Sequence, residues 1–82
     1  METTKIEKIP HGVVLRDSKN AVFITRRDMK ELRTCFRHGE FKVLGDTFIT
    51  VESPYDRSIT FMDIFSDEYV TLKHDEVMEL LK

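Results

Sequence analysis

Eighty-two residues with 40% hydrophobic and 34% charged side chains suit one small folded domain and leave no room for a second core. Net charge is −2, yet residues 1–42 carry ten Lys or Arg against six Asp or Glu, and residues 43–82 carry three against nine. No apolar run approaches the roughly 18 residues of a membrane span, residues 1–12 lack the apolar middle of a signal peptide, and the single cysteine, Cys35, excludes an internal disulfide.

Residues 1–5 read as a flexible tail. "GVVLR" (12–16) and "AVFIT" (21–25) are β-branched and apolar around the polar loop "DSKN", which predicts a hairpin. A helix over 26–38 follows at once. Thr25 stands at the N-cap, and Asp28 completes a T-x-x-D capping box. Ile24 and Met29 have the spacing of a hydrophobic staple, and Gly39 supplies a left-handed stop. At about 100° per residue, Met29, Leu32, Cys35 and Phe36 share one face. Arg26, Lys30, Arg33 and Arg37 line one edge of that face.

"EFKVL" (40–44) and "TFITVE" (47–52) flank Gly45-Asp46 and predict a second hairpin. A two-residue loop sets Val43 opposite Phe48. One more loop residue places Phe41, Val43, Ile49 and Val51 on one face, and turn chemistry leaves both registers open. After the turn "ESPYD", the strand "RSITFM" (57–62) sets Ile59 and Phe61 on one side. "DIFSDE" (63–68) reads as a loop and "YVTL" (69–72) as a short strand. "HDEVMELLK" (74–82) reads as a short helix with Val77, Leu80 and Leu81 inward. Residues 22–32 and 70–81 match weakly at an offset of 48, with Val22 on Val70, Ile24 on Leu72, Met29 on Val77 and Leu32 on Leu80. Capping and stapling at two strand-to-helix corners account for that likeness without a repeat. The predicted fold is a single α+β domain over 1–82. It has one antiparallel sheet of about five strands, the helix 26–38 packed on one face, and a short C-terminal helix.

Catalytic constellations are scarce. The three glycines are isolated, so there is no phosphate-cradling loop, and no serine stands in a nucleophile-elbow context. Cys35 and His38 make only half a zinc site. Asp63, Asp67 and Glu68 lack the ligand spacing of a calcium loop. The expectation is therefore no enzyme, no catalytic residue, no metal, no cofactor and no small-molecule substrate.

Two surfaces remain as candidates for partner binding. One is the basic stripe Arg26, Lys30, Arg33 and Arg37. The other is the acidic set Asp63, Asp67, Glu68, Asp75 and Glu79, which could meet the basic stripe of a second copy in a homodimer. The stripe itself has three readings: a docking surface for an acidic protein, a phosphate-tracking nucleic-acid surface, or a solvated flank of the helix. Small size, no catalytic kit and divided charge resemble in type the accessory proteins of phages and mobile elements. Many of those act by occluding a surface of a larger machine. The expectation is a regulatory or inhibitory protein-binding module in the cytoplasm, that of the host cell if phage-encoded, with nucleic-acid binding as the alternative.

Overall fold

The computed structural model describes residues 4–82. Its elements run β1 (Lys5–Ile9), β2 (Gly12–Arg16), β3 (Ala21–Thr25), α1 (Arg26–Arg37), β4 (Phe48–Glu52), β5 (Ile59–Asp63), β6 (Tyr69–Leu72) and α2 (His74–Leu80). The architecture is α+β, but the strands form two three-stranded antiparallel sheets, β1-β2-β3 and β4-β5-β6. The expected single sheet of about five strands is thus corrected. Each three-stranded meander ends directly in a helix, which takes the chain out of the sheet before another strand can be added.

The two inner faces and both helices share one core. Val13, Leu15, Val22 and Ile24 enter from the first sheet, and Phe48, Ile59, Phe61, Val70 and Leu72 from the second. Met29, Leu32 and Phe36 enter from α1, and Val77 and Leu80 from α2. Phe61 stands at the centre, with ring centroids 6.2 Å from Phe48 and 6.4 Å from Phe36. Either sheet alone would leave one apolar face in water, so the two layers stabilise each other.

The chain is therefore two βββα units in succession. The facing pairs Val13–Ile24 and Leu15–Val22 in the first have counterparts in Ile59–Leu72 and Phe61–Val70 in the second. The likeness at the two strand-to-helix corners thus extends over whole units. The charge division follows the same boundary: the basic half of the chain contains the first unit and the acidic half the second.

Helix α1 begins as its sequence predicts. The Thr25 hydroxyl accepts a hydrogen bond from the Asp28 N–H at 3.1 Å, satisfying one of the free donors of the first turn. The Asp28 carboxylate does not return the bond to Thr25. It is buried and accepts from the Asp46 N–H at 3.3 Å, tying the helix start to the loop before β4. At the other end, Gly39 has φ +79°. The Gly39 N–H donates to the Phe36 carbonyl at 3.1 Å and the Glu40 N–H to the Cys35 carbonyl at 2.9 Å, which is a Schellman closure. His38 caps the helix, so α1 stops one residue short of the expected 38. Cys35, expected to face inward, is only half-buried at the margin of the core.

Three further expectations change. The first three residues of the expected tail lie outside the described residues, but Lys5 opens β1, a strand that sequence reading missed. β1 lies at the edge of its sheet and carries Lys5, Glu7 and Lys8, with Ile6 packed against the core opposite Leu15. Edge strands often carry such charges, which discourage pairing with other chains. Residues 40–44 are not a regular strand, and only Leu44 bridges to Ile49.

The hairpin takes neither expected register. The Gly45 N–H donates to the Phe48 carbonyl at 2.8 Å and the Thr50 N–H to the Val43 carbonyl at 2.9 Å, leaving Asp46-Thr47 as the loop. Val43 and Phe48 are buried, while Val51 faces solvent. The register that grouped Phe41, Val43, Ile49 and Val51 would have turned Phe48 outward, and burying that large ring decides the matter. The buried Thr50 hydroxyl accepts from the Val43 N–H at 2.7 Å and donates to the Phe41 carbonyl at 2.9 Å. It replaces ladder bonds that a regular strand would have made.

Candidate functional site

The basic stripe lies along a shallow groove between α1 and the turn joining β1 to β2. The groove has a volume of about 280 Å3 and is lined by Lys8, Ile9, Gly12, Val13, Arg26, Met29, Lys30 and Arg33. Buried Val13 and Met29 contribute apolar surface at its base, and exposed Ile9 adds to it. The Arg26 N–H donates to the His11 carbonyl at 3.1 Å, so the first turn of α1 is pinned to the β1–β2 turn. That bond holds the two walls in place.

Arg26, Lys30 and Arg33 follow the i, i+4, i+7 spacing of the helix and present three cations along one wall. Arg26 and Lys30 are exposed and Arg33 is half-buried. Arg37 continues the stripe one turn on, beyond the groove lining. No Asp or Glu lines the groove. Among the described residues the ion pairs are Arg16–Glu7 at 3.6 Å, Arg57–Glu52 at 4.0 Å and Lys82–Glu79 at 3.2 Å, and none includes a groove cation. Like charges one turn apart on a helix repel, so an anionic group placed here would relieve a cost already present in the fold.

Sequence reading missed Lys8. It stands opposite Val13 in the β1–β2 pairing and joins the groove from the far wall, with its Nζ 3.1 Å from the Lys82 main-chain carbonyl. The only signal in the sequence was a lysine next to Ile9 in a stretch read without a strand.

The second unit has a depression in the corresponding place, between the β4–β5 turn and the start of α2. It is lined by Asp56, Ser58, Lys73, His74 and Asp75. At the offset of 48 residues, Arg26 corresponds to His74, Lys30 to Met78 and Arg33 to Leu81. The second depression sets Lys73 beside two carboxylates, whereas the first gathers Lys8, Arg26, Lys30 and Arg33 with no acid.

Of the acidic candidates, Asp63 closes β5, Asp67 and Glu68 lie in the turn between β5 and β6, and Asp75 and Glu79 lie on α2. The Asp63 carboxylate accepts from the Phe65 N–H at 2.8 Å and the Ser66 N–H at 2.9 Å. Those bonds, that from Ser66 first, hold its carboxyl below the usual carboxylate range. Asp67 takes a left-handed φ of 61°, and Glu79 pairs with Lys82. Among the described residues no three His, Cys, Asp or Glu come together as metal ligands, and no helix is long and apolar enough to cross a membrane. Burial pushes the Cys35 thiol up, and the nearby Glu40 and Glu31 carboxylates add to the rise, which opposes thiolate formation. No family model, curated protein or solved structure matches the chain, so the groove is read from its own residues.

Proposed function

We propose that this protein is a non-enzymatic binding module that regulates or inhibits a larger protein, in the manner of a phage accessory protein. It would dock an acidic, partly apolar segment of its partner in the groove beside α1. The observation that carries the proposal is the composition of the groove: Arg26, Lys30, Arg33 and Lys8 surround the apolar surface of Met29, Val13 and Ile9, with no acid among the lining residues.

Such a surface recognises two features at once. An apolar side chain of the partner would displace water from the exposed Ile9, over the buried Met29 and Val13, and a carboxylate beside it would meet Arg26 or Arg33. Arginine and desolvated apolar contacts dominate binding at many protein interfaces. Lys30 and the outlying Arg37 would chiefly speed encounter and orient it.

Cations at helical spacing also suit a phosphate backbone, which keeps nucleic-acid binding as the second reading. It makes a distinct quantitative demand. If Arg26, Lys30, Arg33 and Arg37 neutralise about four phosphates of duplex DNA, log K falls with log salt at a slope near −3.6. Raising salt from about 50 to about 200 mM would then weaken binding roughly 150-fold.

Affinity capture from the native host separates the two readings, comparing the wild-type chain with Arg26→Glu/Arg33→Glu and with Asp63→Lys/Asp67→Lys. The docking proposal expects one protein partner to be lost with the first variant and kept with the second, both remaining folded. A capture consisting of nucleic acid alone, released at the slope above, would replace it with the second reading. Capture unchanged by Arg26→Glu/Arg33→Glu would reject the groove.

A further inference from the structure

The two βββα units invite a comparison of their outer sheet faces, and these differ sharply. On the first sheet the outward positions Lys5, Glu7 and Arg16 stand among Ile9, Val14, Ala21 and Phe23, with Glu7 and Arg16 in an ion pair at 3.6 Å. On the second sheet the outward positions are Ile49 and Val51 on β4, Thr60 and Met62 on β5, and Tyr69 and Thr71 on β6. Leu44 joins them by bridging to Ile49. None of these seven is charged, in a chain with 34% charged residues.

The register aligns four of them. Leu44 stands opposite Ile49, Ile49 opposite Met62, and Met62 opposite Tyr69. The result is one apolar row across the sheet. Leu44 is 72% exposed, Tyr69 52% and Met62 37%. Beside the row, Val51 is exposed, and the Thr60 and Thr71 hydroxyls bond each other at 2.9 Å, so they make few demands on water. Charged groups stand along one border. Asp17, Asp56, Lys73 and Glu76 share a shallow groove with Tyr69 and Thr71 along the β6 margin. A neutral centre with a charged rim is the anatomy of a protein interface.

We infer that this face pairs with the same face of a second copy, making a twofold dimer with sheet packed on sheet. The neutrality of the face selects that occupant. In a twofold contact the same patch meets itself, so charges near the axis confront their like, and a face without charges avoids that cost. The size of the face sets the strength. Four chain segments at about 4.8 Å and five residues at about 3.3 Å cover roughly 300 Å2 in projection. Exposed Ile64 and Phe65 extend it at one end. That falls short of the roughly 800 Å2 per partner of a standard stable complex. The dimer is therefore reversible, with dissociation in the micromolar range or weaker, and it leaves the basic groove of each copy free.

Sedimentation velocity of the full chain from about 1 μM to about 1 mM tests this, because a weak dimer forms within that range. Wild type should pass from monomer to dimer. Met62→Glu should raise the dissociation constant at least tenfold, with an unchanged far-UV spectrum. Phe23→Glu, on the outer face of the first sheet and equally 37% exposed, should leave it unchanged. Leu44→Glu gives a second reading outside the regular strands should Met62→Glu impair folding. Wild type that stays monomeric throughout, or dimerisation that survives both Leu44→Glu and Met62→Glu, overturns the inference. Loss with Phe23→Glu alone would move the interface to the other sheet and overturn it equally.

Discussion

Gly45 offers a sharp test of the packing, because its role differs from that of an ordinary turn glycine. A methyl group at this position would strike Cε1 of Phe48 and lie 2.8 Å from Cδ1 and 3.0 Å from Cζ. Phe48 has no room to yield: it is fully buried and its ring is stacked on Phe61. Ordinary contact requires a shift of several tenths of an ångström at least. Overpacking of this kind costs about 1–3 kcal/mol, so about 2 kcal/mol is expected for Gly45→Ala. In a domain of this size that lowers Tm by about 8–16 °C. Urea titration and thermal melts of Gly45→Ala, Phe48→Leu and the double variant form a cycle. With the ring removed, the alanine should cost less than about 0.5 kcal/mol, giving a coupling of about 1.5 kcal/mol between the two sites. Gly39→Ala is the contrasting control: nothing lies within 4 Å, and its cost of about 1 kcal/mol comes from φ +79° alone and is indifferent to Phe48. A Gly45→Ala variant as stable as wild type, or a coupling near zero, would refute the contact and the hairpin register with it.

Thr25→Ala should cost about 1 kcal/mol by removing the cap on α1, measured by urea unfolding. Acid should destabilise the fold through its loop aspartates. Asp63 is held low by the Ser66 and Phe65 N–H groups, Asp17 by those of Asn20 and Lys19, and Asp56 by the Ser58 N–H and hydroxyl. Depressed carboxyls contribute fully above their ordinary value of about 3.8 and lose that contribution as pH falls through the folded value. Tm from these groups should therefore be flat from about pH 7 to 5 and fall below about pH 4, with a shallower fall in Asp63→Asn. Cys35 should react with iodoacetamide at neutral pH more slowly than free cysteine, because burial and the neighbouring carboxylates oppose its thiolate. Chelator treatment should leave Tm unchanged, and a stoichiometric metal in the purified protein would reopen the question of chemistry.

What the sequence determined by itself was local. Thr25, Gly39 and the spacing of Met29, Leu32 and Phe36 specify α1, because a cap, a left-handed stop and a 3.6-residue period are set by neighbours along the chain. The stripe from Arg26 to Arg37 follows from the same period. Strands β2 to β6 were legible because each turns alternate residues inward, toward a single core. Tertiary structure decided the rest. β1 is invisible to pattern because its charged side chains reflect a place at the sheet edge, which depends on β2 already lying beside it. The register after Gly45 was settled by burying Phe48 against Phe61, a partner 13 residues away, and by the Thr50 hydroxyl holding residues 41–43. The division into two sheets likewise depends on which apolar faces meet. Lys8 enters the groove, and Leu44, Ile49, Met62 and Tyr69 fall into one row, only because strand pairing brings distant residues together. Side-chain periodicity shows which residues within an element share a face, but the face they meet is chosen by the packing of the whole chain.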